Sequence, residues 1–361
     1  MRIALPLLLL PLALPLGTSF PDLAPPTPVA ITAPPTPIRL AAPPTPAAPI
    51  APAAPPTPIA PAAPPATVAM GGAGEPYASW ARSGRRFLSF DPRGDGKAVE
   101  VLGDPATAER IAVLVPGVDT RLRDFDRGLG GVSRRAPAVQ ARTVYAALHA
   151  AAPHTRIAVV AWLGYDPPEG LSLESARDLR ARTGAAALTE FVQALPTRAA
   201  VTLIGHSYGA LVVGFAAPHL PRVADVIALG APGMGARTAA DLGGARVWSA
   251  LAADDWIRRI PQLHVGHLGH GRRPSTPAFG ARPLPTTGVT GHDGYLCPGS
   301  ATLEAIAAVV LGHPSSVAAA PSSASAMASR DGVASVSASG TGVDIEGDKA
   351  GGAEHTAVGS A

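Results

Sequence analysis

Hydrophobic positions between residues 76 and 313 alternate between short continuous apolar runs and longer stretches with helical periodicity. The short runs are rich in β-branched residues and end at glycine or proline, which predicts strands that are buried on both faces. Eight strands are predicted, at 86–90, 97–102, 111–115, 156–161, from 201 into Ser207, and at 224–229, 246–251 and 279–284. Helices are predicted at 136–151, 171–182, 184–195, 210–217 and 301–311.

This alternation indicates the fold class. Strands that are mostly separated by helices form a mostly parallel sheet with helices on both faces. We therefore predict an α/β fold with an eight-stranded sheet. Only residues 230–245 separate the sixth and seventh predicted strands, where lids are commonly inserted, so no large lid domain is expected.

Composition divides the chain into four segments. Residues 21–75 carry Ala-Pro-Pro-Thr-Pro repeats that begin at Ala24, Ala33, Ala42 and Ala54. Such proline density favours an extended chain over a packed one, so a disordered linker is predicted. It is either a stalk that holds the domain away from a membrane or cell wall, or inert low-complexity sequence. The domain itself is expected at 76–313, and a disordered low-complexity tail at 314–361.

Residues 1–20 have the pattern of a signal peptide or an N-terminal anchor. Arg2 precedes an apolar run with the length of a signal-peptide core, which is short for a membrane span. Export, to the medium or to the cell surface, is the preferred interpretation. An uncleaved anchor and a mis-assigned start codon are the alternatives, and a cytoplasmic location stays open.

Charge and cysteine content exclude several function classes. A net charge of +3 over 361 residues is too small to indicate a nucleic-acid partner. Cys297 is the only cysteine in the sequence, so neither an intrachain disulfide nor a cysteine-based metal site is expected.

The sequence Gly205-His-Ser-Tyr-Gly209 stands between a predicted strand and a predicted helix. Gly-x-Ser-x-Gly in this context is the nucleophile-elbow pattern, in which small neighbours permit a tight turn and the serine projects alone. Ser207 is therefore the candidate nucleophile. Its position at a helix N-terminus would favour a developing negative charge.

In chains with this elbow the nucleophile is followed by an acid and then by a histidine. Asp254 and Asp255 follow the seventh predicted strand, and His292 lies between Gly291 and Gly294 after the eighth. His292 is the candidate general base, because a serine hydroxyl needs an adjacent imidazole to accept its proton. Asp255 is the preferred acid that orients this histidine, and Asp254 is the alternative.

An oxyanion hole needs two backbone N–H groups. One is expected from Tyr208, and the other from the loop after the third strand, where Gly117 and Val118 are the candidates. Asp119 lies beside them without an assigned role.

The remaining histidines carry less weight. His206 precedes the nucleophile and is interpreted as structural. His264, His267 and His270 form a His-x-x-His-x-x-His run that suggests a zinc site, but no helix with a carboxylate accompanies it and the spacing does not put all three on one helical face. A loop near the mouth of the site is the preferred interpretation. No cofactor and no metal is expected.

Several ordered segments resemble an actinobacterial α/β-hydrolase family that was long catalogued only as a domain of unknown function. The similarity covers about residues 87–311 and includes Val115-Pro-Gly-Val-Asp-Thr120, Trp162-Leu-Gly-Tyr165, the elbow, and His292 to Ser300. The resemblance implies the triad Ser207, Asp255 and His292. The acid turn departs from the family, since Asp255-Trp256-Ile257 stands where Asp-Pro-Ile is usual.

These features predict a serine hydrolase that cleaves a carboxylic ester through an acyl-serine intermediate. Its partner would be a small-molecule or lipid-like ester, and its oligomeric state stays open. The alternative is a catalytically silent cell-surface binding module on the proline-rich stalk.

Overall fold

A computed structural model of the chain describes Gly74, residues 77–196, residues 198–313 and Val317. The chain divides into one unit up to Pro58 and a second unit from Ile59 onward, and all described residues belong to the second. The predicted signal segment, almost all of the proline-rich linker and nearly all of the tail lie outside the described residues. Among the described helices, none combines the length and apolar character needed to cross a bilayer.

Eight strands form one sheet, as the sequence predicts. They are β1 Arg86–Asp91, β2 Lys97–Gly103, β3 Arg110–Val115, β4 Ile157–Leu163, β5 Ala200–His206, β6 Val223–Leu229, β7 Arg246–Ala250 and β8 Arg282–Pro283. Their order is β1-β2-β4-β3-β5-β6-β7-β8. The β1–β2 and β2–β4 pairs are antiparallel and all later pairs are parallel, so the mostly parallel sheet is confirmed.

The described helices are α1 Tyr77–Arg82, α2 Pro137–Ala151, α3 Leu179–Gln193, α4 Gly209–Ala216 and α5 Ala301–Val310. α3 and α4 pack on one face of the sheet, and α2 and α5 pack on the other. Neighbouring residues of the central strand β5 supply the two layers: Leu203 belongs to the first core and Ile204 to the second. Helices on both faces are therefore confirmed.

The prediction of two separate helices at 171–182 and 184–195 is wrong. Residues 171–178 are not helical, and the remainder of the two predicted segments forms the single helix α3. The hydroxyl groups of Ser172 and Ser175 each accept a hydrogen bond from the other residue's backbone N–H, at 3.3 and 2.9 Å, which offers the backbone an alternative to helix. Gly184 does not interrupt α3, because its missing side chain makes room for the Tyr165 ring. Residues 164–178 are called the strap below.

Candidate active site

Ser207 lies on a tight turn between β5 and α4. Its φ of 55° is unusual for a residue with a side chain, and only 4% of its surface is exposed. A Cβ on Gly205 would lie 2.6 Å from the Cα of Ala210, and one on Gly209 would lie 2.3 Å from the Val115 carbonyl oxygen. Both flanking glycines are thus required by close backbone approach, and they let the strand turn directly into the helix.

His292 and Asp255 are in direct contact. Nδ1 of His292 lies 2.9 and 3.0 Å from the two carboxylate oxygens of Asp255, which is buried. Oδ1 of Asp255 also accepts a hydrogen bond from the backbone N–H of Ile257 at 2.8 Å. Every oxygen of this carboxylate therefore has a donor, and the imidazole is held in one orientation.

The neighbouring Asp254 has a different partner. Its Oδ2 accepts a hydrogen bond from the backbone N–H of Gly291 at 2.8 Å, and the residue is exposed. Asp254 thus bonds the loop that carries His292 without reaching the ring. Of the two aspartates left open by the sequence, the structure brings Asp255 to the histidine.

Tyr295 is a member of this cluster that the sequence reasoning missed. Its hydroxyl donates to Oδ2 of Asp255 at 2.5 Å and accepts from the backbone N–H of Ala252 at 3.1 Å. The signal that could have found it is a single aromatic residue three positions after His292 in a glycine-rich loop. Tyr295 thus gives Oδ2 of Asp255 a second donor besides the imidazole.

Burial and hydrogen bonds shift the pKa values of this cluster. Burial opposes ionisation of Asp255, but the hydrogen bond and charge of His292, with the hydrogen bonds from Tyr295 and Ile257, outweigh it and hold the pKa of Asp255 below its ordinary value. Burial, together with the Asp255 contact, raises the pKa of Tyr295 well above its usual range. Asp255 is therefore a carboxylate and Tyr295 a neutral donor at neutral pH.

His206 contacts the loop that carries His292. Its Nε2 lies 2.7 Å from the carbonyl oxygen of His292, and the two rings are 4.7 Å apart. Burial and the nearby charge of His292 lower the pKa of His206 to about 4, so it is neutral near pH 7. A neutral ring avoids a second positive charge beside the candidate base.

Two further glycines are placed where side chains would block the cluster. A Cβ on Gly117 would lie 2.7 Å from Cβ and 3.2 Å from Oγ of Ser207. A Cβ on Gly230 would lie 2.8 Å from Oδ2 of Asp255 and 3.0 Å from Nδ1 of His292. The loop after β3, with Gly117 and Val118, therefore lies directly against Ser207, the candidate nucleophile. Tyr208 is the next residue along the chain.

Two connected cavities open at Ser207. The polar arm has a volume of about 400 Å³, and its lining includes His292, Asp293, Arg134, Arg135 and Asp119. The apolar arm has a volume of about 280 Å³, and its lining includes Ile257, Ile260, Pro232, Ala176 and Tyr208. The residues that line both arms are Val118, Leu171, Ser207 and Trp256.

A larger cavity lies elsewhere in the described chain. It is a groove of about 840 Å³ between α2 and α5, and six of its fifteen lining residues are alanines. The lining contains neither Ser207 nor the contacting histidine and aspartate. The two smaller arms are therefore the candidate site.

A family model described as alpha/beta hydrolase matches residues 91–265, which include the strap and the elbow. With its eight-stranded, mostly parallel sheet and helices on both faces, the described domain has the α/β-hydrolase fold. Its fold and elbow thus agree with the family resemblance drawn from the sequence.

Relatives among curated proteins are mycobacterial. Uncharacterized protein Rv2079 of Mycobacterium tuberculosis is 31% identical over 264 residues, which cover 63% of this chain and 39% of the relative. Uncharacterized protein Mb0988c of Mycobacterium bovis is 35% identical over 159 residues, which cover 42% of this chain and 58% of that protein. The chain thus matches well under two thirds of the length of these relatives.

Among solved structures, a carboxylesterase from Mesorhizobium loti aligns with a TM-score of 0.37 and 17% identity, covering 62% of this chain and 98% of that one. A serine hydrolase without a lid from Xanthomonas campestris aligns with a TM-score of 0.34 and 17% identity, covering 66% of this chain and 97% of that one.

The strap is attached to the elbow and to the loop after β3. Asp119, at a φ of 60°, donates its backbone N–H to the Pro168 carbonyl at 3.0 Å and accepts the Gly170 N–H on Oδ1 at 2.7 Å. The Tyr208 hydroxyl donates to the Arg177 carbonyl at 2.6 Å. Asp119, which had no role in the sequence analysis, thus holds the strap over the site.

The histidine run is a second attachment of the strap. His267 Nδ1 and His264 Nε2 lie 2.8 and 3.3 Å from the two carboxylate oxygens of buried Asp178, which also accepts from Arg182 at 2.9 Å. His270 Nε2 lies 2.7 Å from the Ser175 carbonyl oxygen. No cluster that could hold a metal ion occurs among the described residues. The run lies in a loop, of which His270 lines the apolar arm.

We expect Asp178→Asn to lower the free energy of unfolding at pH 7 by about 2 kcal/mol, because a buried carboxylate with three charged or polar partners is lost. Burial opposes ionisation of Asp178, but bonds to Arg182 and the histidines outweigh it and lower its pKa. This stabilisation is present above the unfolded carboxyl pKa of about 4 and is lost as pH falls through the lowered folded value. The difference between the proteins should therefore shrink at about pH 3.

Urea unfolding at both pH values measures this difference. Asp91→Asn is the matched control, since Asp91 pairs with Arg93 at an exposed site, and such pairs contribute little. An Asp178→Asn effect that is the same at pH 3 as at pH 7 would contradict the ionic origin of the contact.

Proposed function

We propose that this protein hydrolyses a carboxylic ester through an acyl-Ser207 intermediate. The observation that carries the proposal is the contact between His292 and buried Asp255 beside the cavity that exposes Ser207. A serine on a strained turn, followed along the chain by a carboxylate and then by an imidazole, suits nucleophilic acyl transfer.

The proposed reaction has two halves. Ser207 Oγ attacks the ester carbonyl carbon while His292 accepts the serine proton, and the tetrahedral intermediate collapses as His292 gives that proton to the departing alkoxy oxygen. Water then attacks the acyl-enzyme, His292 accepts a proton from it, and the carbon–Oγ bond breaks as the proton returns to Ser207. Ester and water thus become acid and alcohol, and Asp255 stabilises the imidazolium in both halves.

The backbone N–H groups of Tyr208 and Val118 are the proposed oxyanion donors. Tyr208 follows the nucleophile at the start of α4, and Val118 lines both arms beside Ser207. Gly117 contributes by lacking a side chain, which lets this loop approach the nucleophile. Preformed donors of this kind stabilise negative charge as it develops on the carbonyl oxygen.

Labelling with a fluorophosphonate that carries only an ethyl group tests this proposal. The wild-type chain should be labelled stoichiometrically, and peptide mapping should place the adduct on Ser207. Ser207→Ala should lose labelling and the turnover of short p-nitrophenyl esters. Ser275→Ala, at an exposed serine, is the control and should keep both.

A folded wild-type protein that is not labelled would reject the proposal. It would support the alternative function, a catalytically silent binding module. Thermal unfolding of each variant establishes that it is folded.

A further inference from the structure

The two arms of the site differ in their access to His292, the candidate proton donor to the leaving group. His292, with the loop of Thr290 to Asp293, lines the polar arm and is not part of the lining of the apolar arm. In the proposed reaction the imidazolium must deliver its proton to the departing alkoxy oxygen. The alcohol half of the ester must therefore lie in the polar arm, and the acyl half must extend the other way.

We propose that the substrate is an ester of a medium-length apolar acyl chain, and that this chain occupies the apolar arm. The inference rests on the proposed function and adds the substrate class. It follows from the position of His292 relative to the two arms and from the different chemistry of their walls.

The walls of the apolar arm suit a hydrocarbon chain. One wall is the turn after Asp255, with Trp256, Ile257 and Ile260, and another is the strap with Leu171 and Ala176. No acidic, lysine or arginine side chain lines this arm. Its histidine, His270, is buried, and burial lowers its pKa, which keeps the ring neutral at neutral pH. The arm therefore carries no charge.

The polar arm suits the alcohol half. Its wall includes Arg134, the ion pair of Arg135 with Asp293 at 2.6 Å, and Asp119. Hydrated and charged groups such as these accommodate a polar alcohol better than a second hydrocarbon chain. Trp256 lines both arms, and its ring lies 5.0 Å from the His292 ring, so it is close to the point of reaction.

The volume of the apolar arm limits the chain length. A water molecule takes up about 30 Å³ in the liquid, and a methylene group is of similar size, so a cavity of about 280 Å³ accommodates roughly nine heavy atoms. Each methylene that is fully removed from water strengthens binding by about fourfold. An acyl chain of about eight carbons should thus be favoured strongly over acetate, whereas palmitate exceeds the arm.

The test compares kcat/KM for p-nitrophenyl acetate, octanoate, laurate and palmitate. The wild type should prefer octanoate over acetate by about a hundredfold, if part of the methylene contribution is realised in the transition state. Ile260→Trp, which fills the arm, should lower the octanoate-to-acetate ratio by about tenfold or more. Ile260→Ala, which enlarges it, should move the preference toward laurate. Val265→Trp places the same indole on an exposed turn and should leave the ratio unchanged.

Labelling by the ethyl fluorophosphonate is measured on every protein, which separates two kinds of failure. An unlabelled wild type would reject the proposed function itself. A labelled wild type that hydrolyses acetate as well as octanoate, or an octanoate preference that neither Ile260 variant alters, would overturn the assignment of the acyl chain to the apolar arm. If Ile260→Trp does not fold, Ile260→Ala decides the result alone.

Discussion

Asp255→Asn should lower kcat for short esters by about 10⁴-fold at pH 7, with little change in KM. The carboxylate of Asp255 receives hydrogen bonds from Ile257 N–H and the Tyr295 hydroxyl while it contacts His292. An asparagine has one acceptor oxygen, so its amide group must face a donor and the imidazole loses its anionic partner. Steady-state kinetics, together with thermal unfolding of the variant, measures the effect.

Asp254→Asn is the matched control for this prediction. Its side-chain oxygen can still accept the hydrogen bond from Gly291 N–H, so kcat should stay near the wild-type value. A large loss in Asp254→Asn with near-normal Asp255→Asn would reverse the assignment. Equal losses in both would show that the acid turn as a whole, and not one carboxylate, is required.

Gly209→Ala should lower the free energy of unfolding by roughly 2–4 kcal/mol. A Cβ at this position would lie 2.3 Å from the Val115 carbonyl oxygen and 2.6 Å from that of Pro116. Both contacts are with backbone, which has no flexible end that could move aside. The helix α4 would have to shift away from β3, and urea unfolding with an unchanged m value would report the cost.

Gly74→Ala serves as the comparison for this backbone effect. Nothing lies within 4 Å of a Cβ at Gly74, and the residue is exposed, so stability should change by less than about 0.5 kcal/mol. A Gly209→Ala protein as stable as Gly74→Ala would mean that the elbow is not packed against the end of β3.

Much of the fold could be predicted from the sequence, because buried parallel strands are recognisable as continuous apolar runs. The strand of Arg110 to Val115 is one such run, and its predicted and observed bounds differ by a single residue. The strap was misassigned for the opposite reason. Its two leucines, Leu171 and Leu173, lie two positions apart, which is not the spacing of one helix face, and they are 76% and 61% exposed. Local hydrogen bonds of its serines, invisible to periodicity, decide its conformation.

The candidate site, like the fold, could be predicted from the sequence only in part. Chain order points to Ser207 and His292, since both lie in short motifs next to glycines. The choice between Asp254 and Asp255 could not be made from order alone, because adjacent residues share every sequence signal. It depends on which side chain faces the imidazole, and therefore on the turn that Tyr295 and Ile257 complete.

The attachment of the strap has a consequence for how new substrate preferences could evolve on this fold. The strap is bonded to Asp119, the neighbour of Val118, and to Tyr208 itself, so a change in this wall of the apolar arm is transmitted to the residues that would stabilise the oxyanion. The opposite wall at Ile260 has no such link to them. Selection for new acyl groups should therefore accumulate substitutions around Ile260 first, while strap substitutions should require compensating changes to recover turnover.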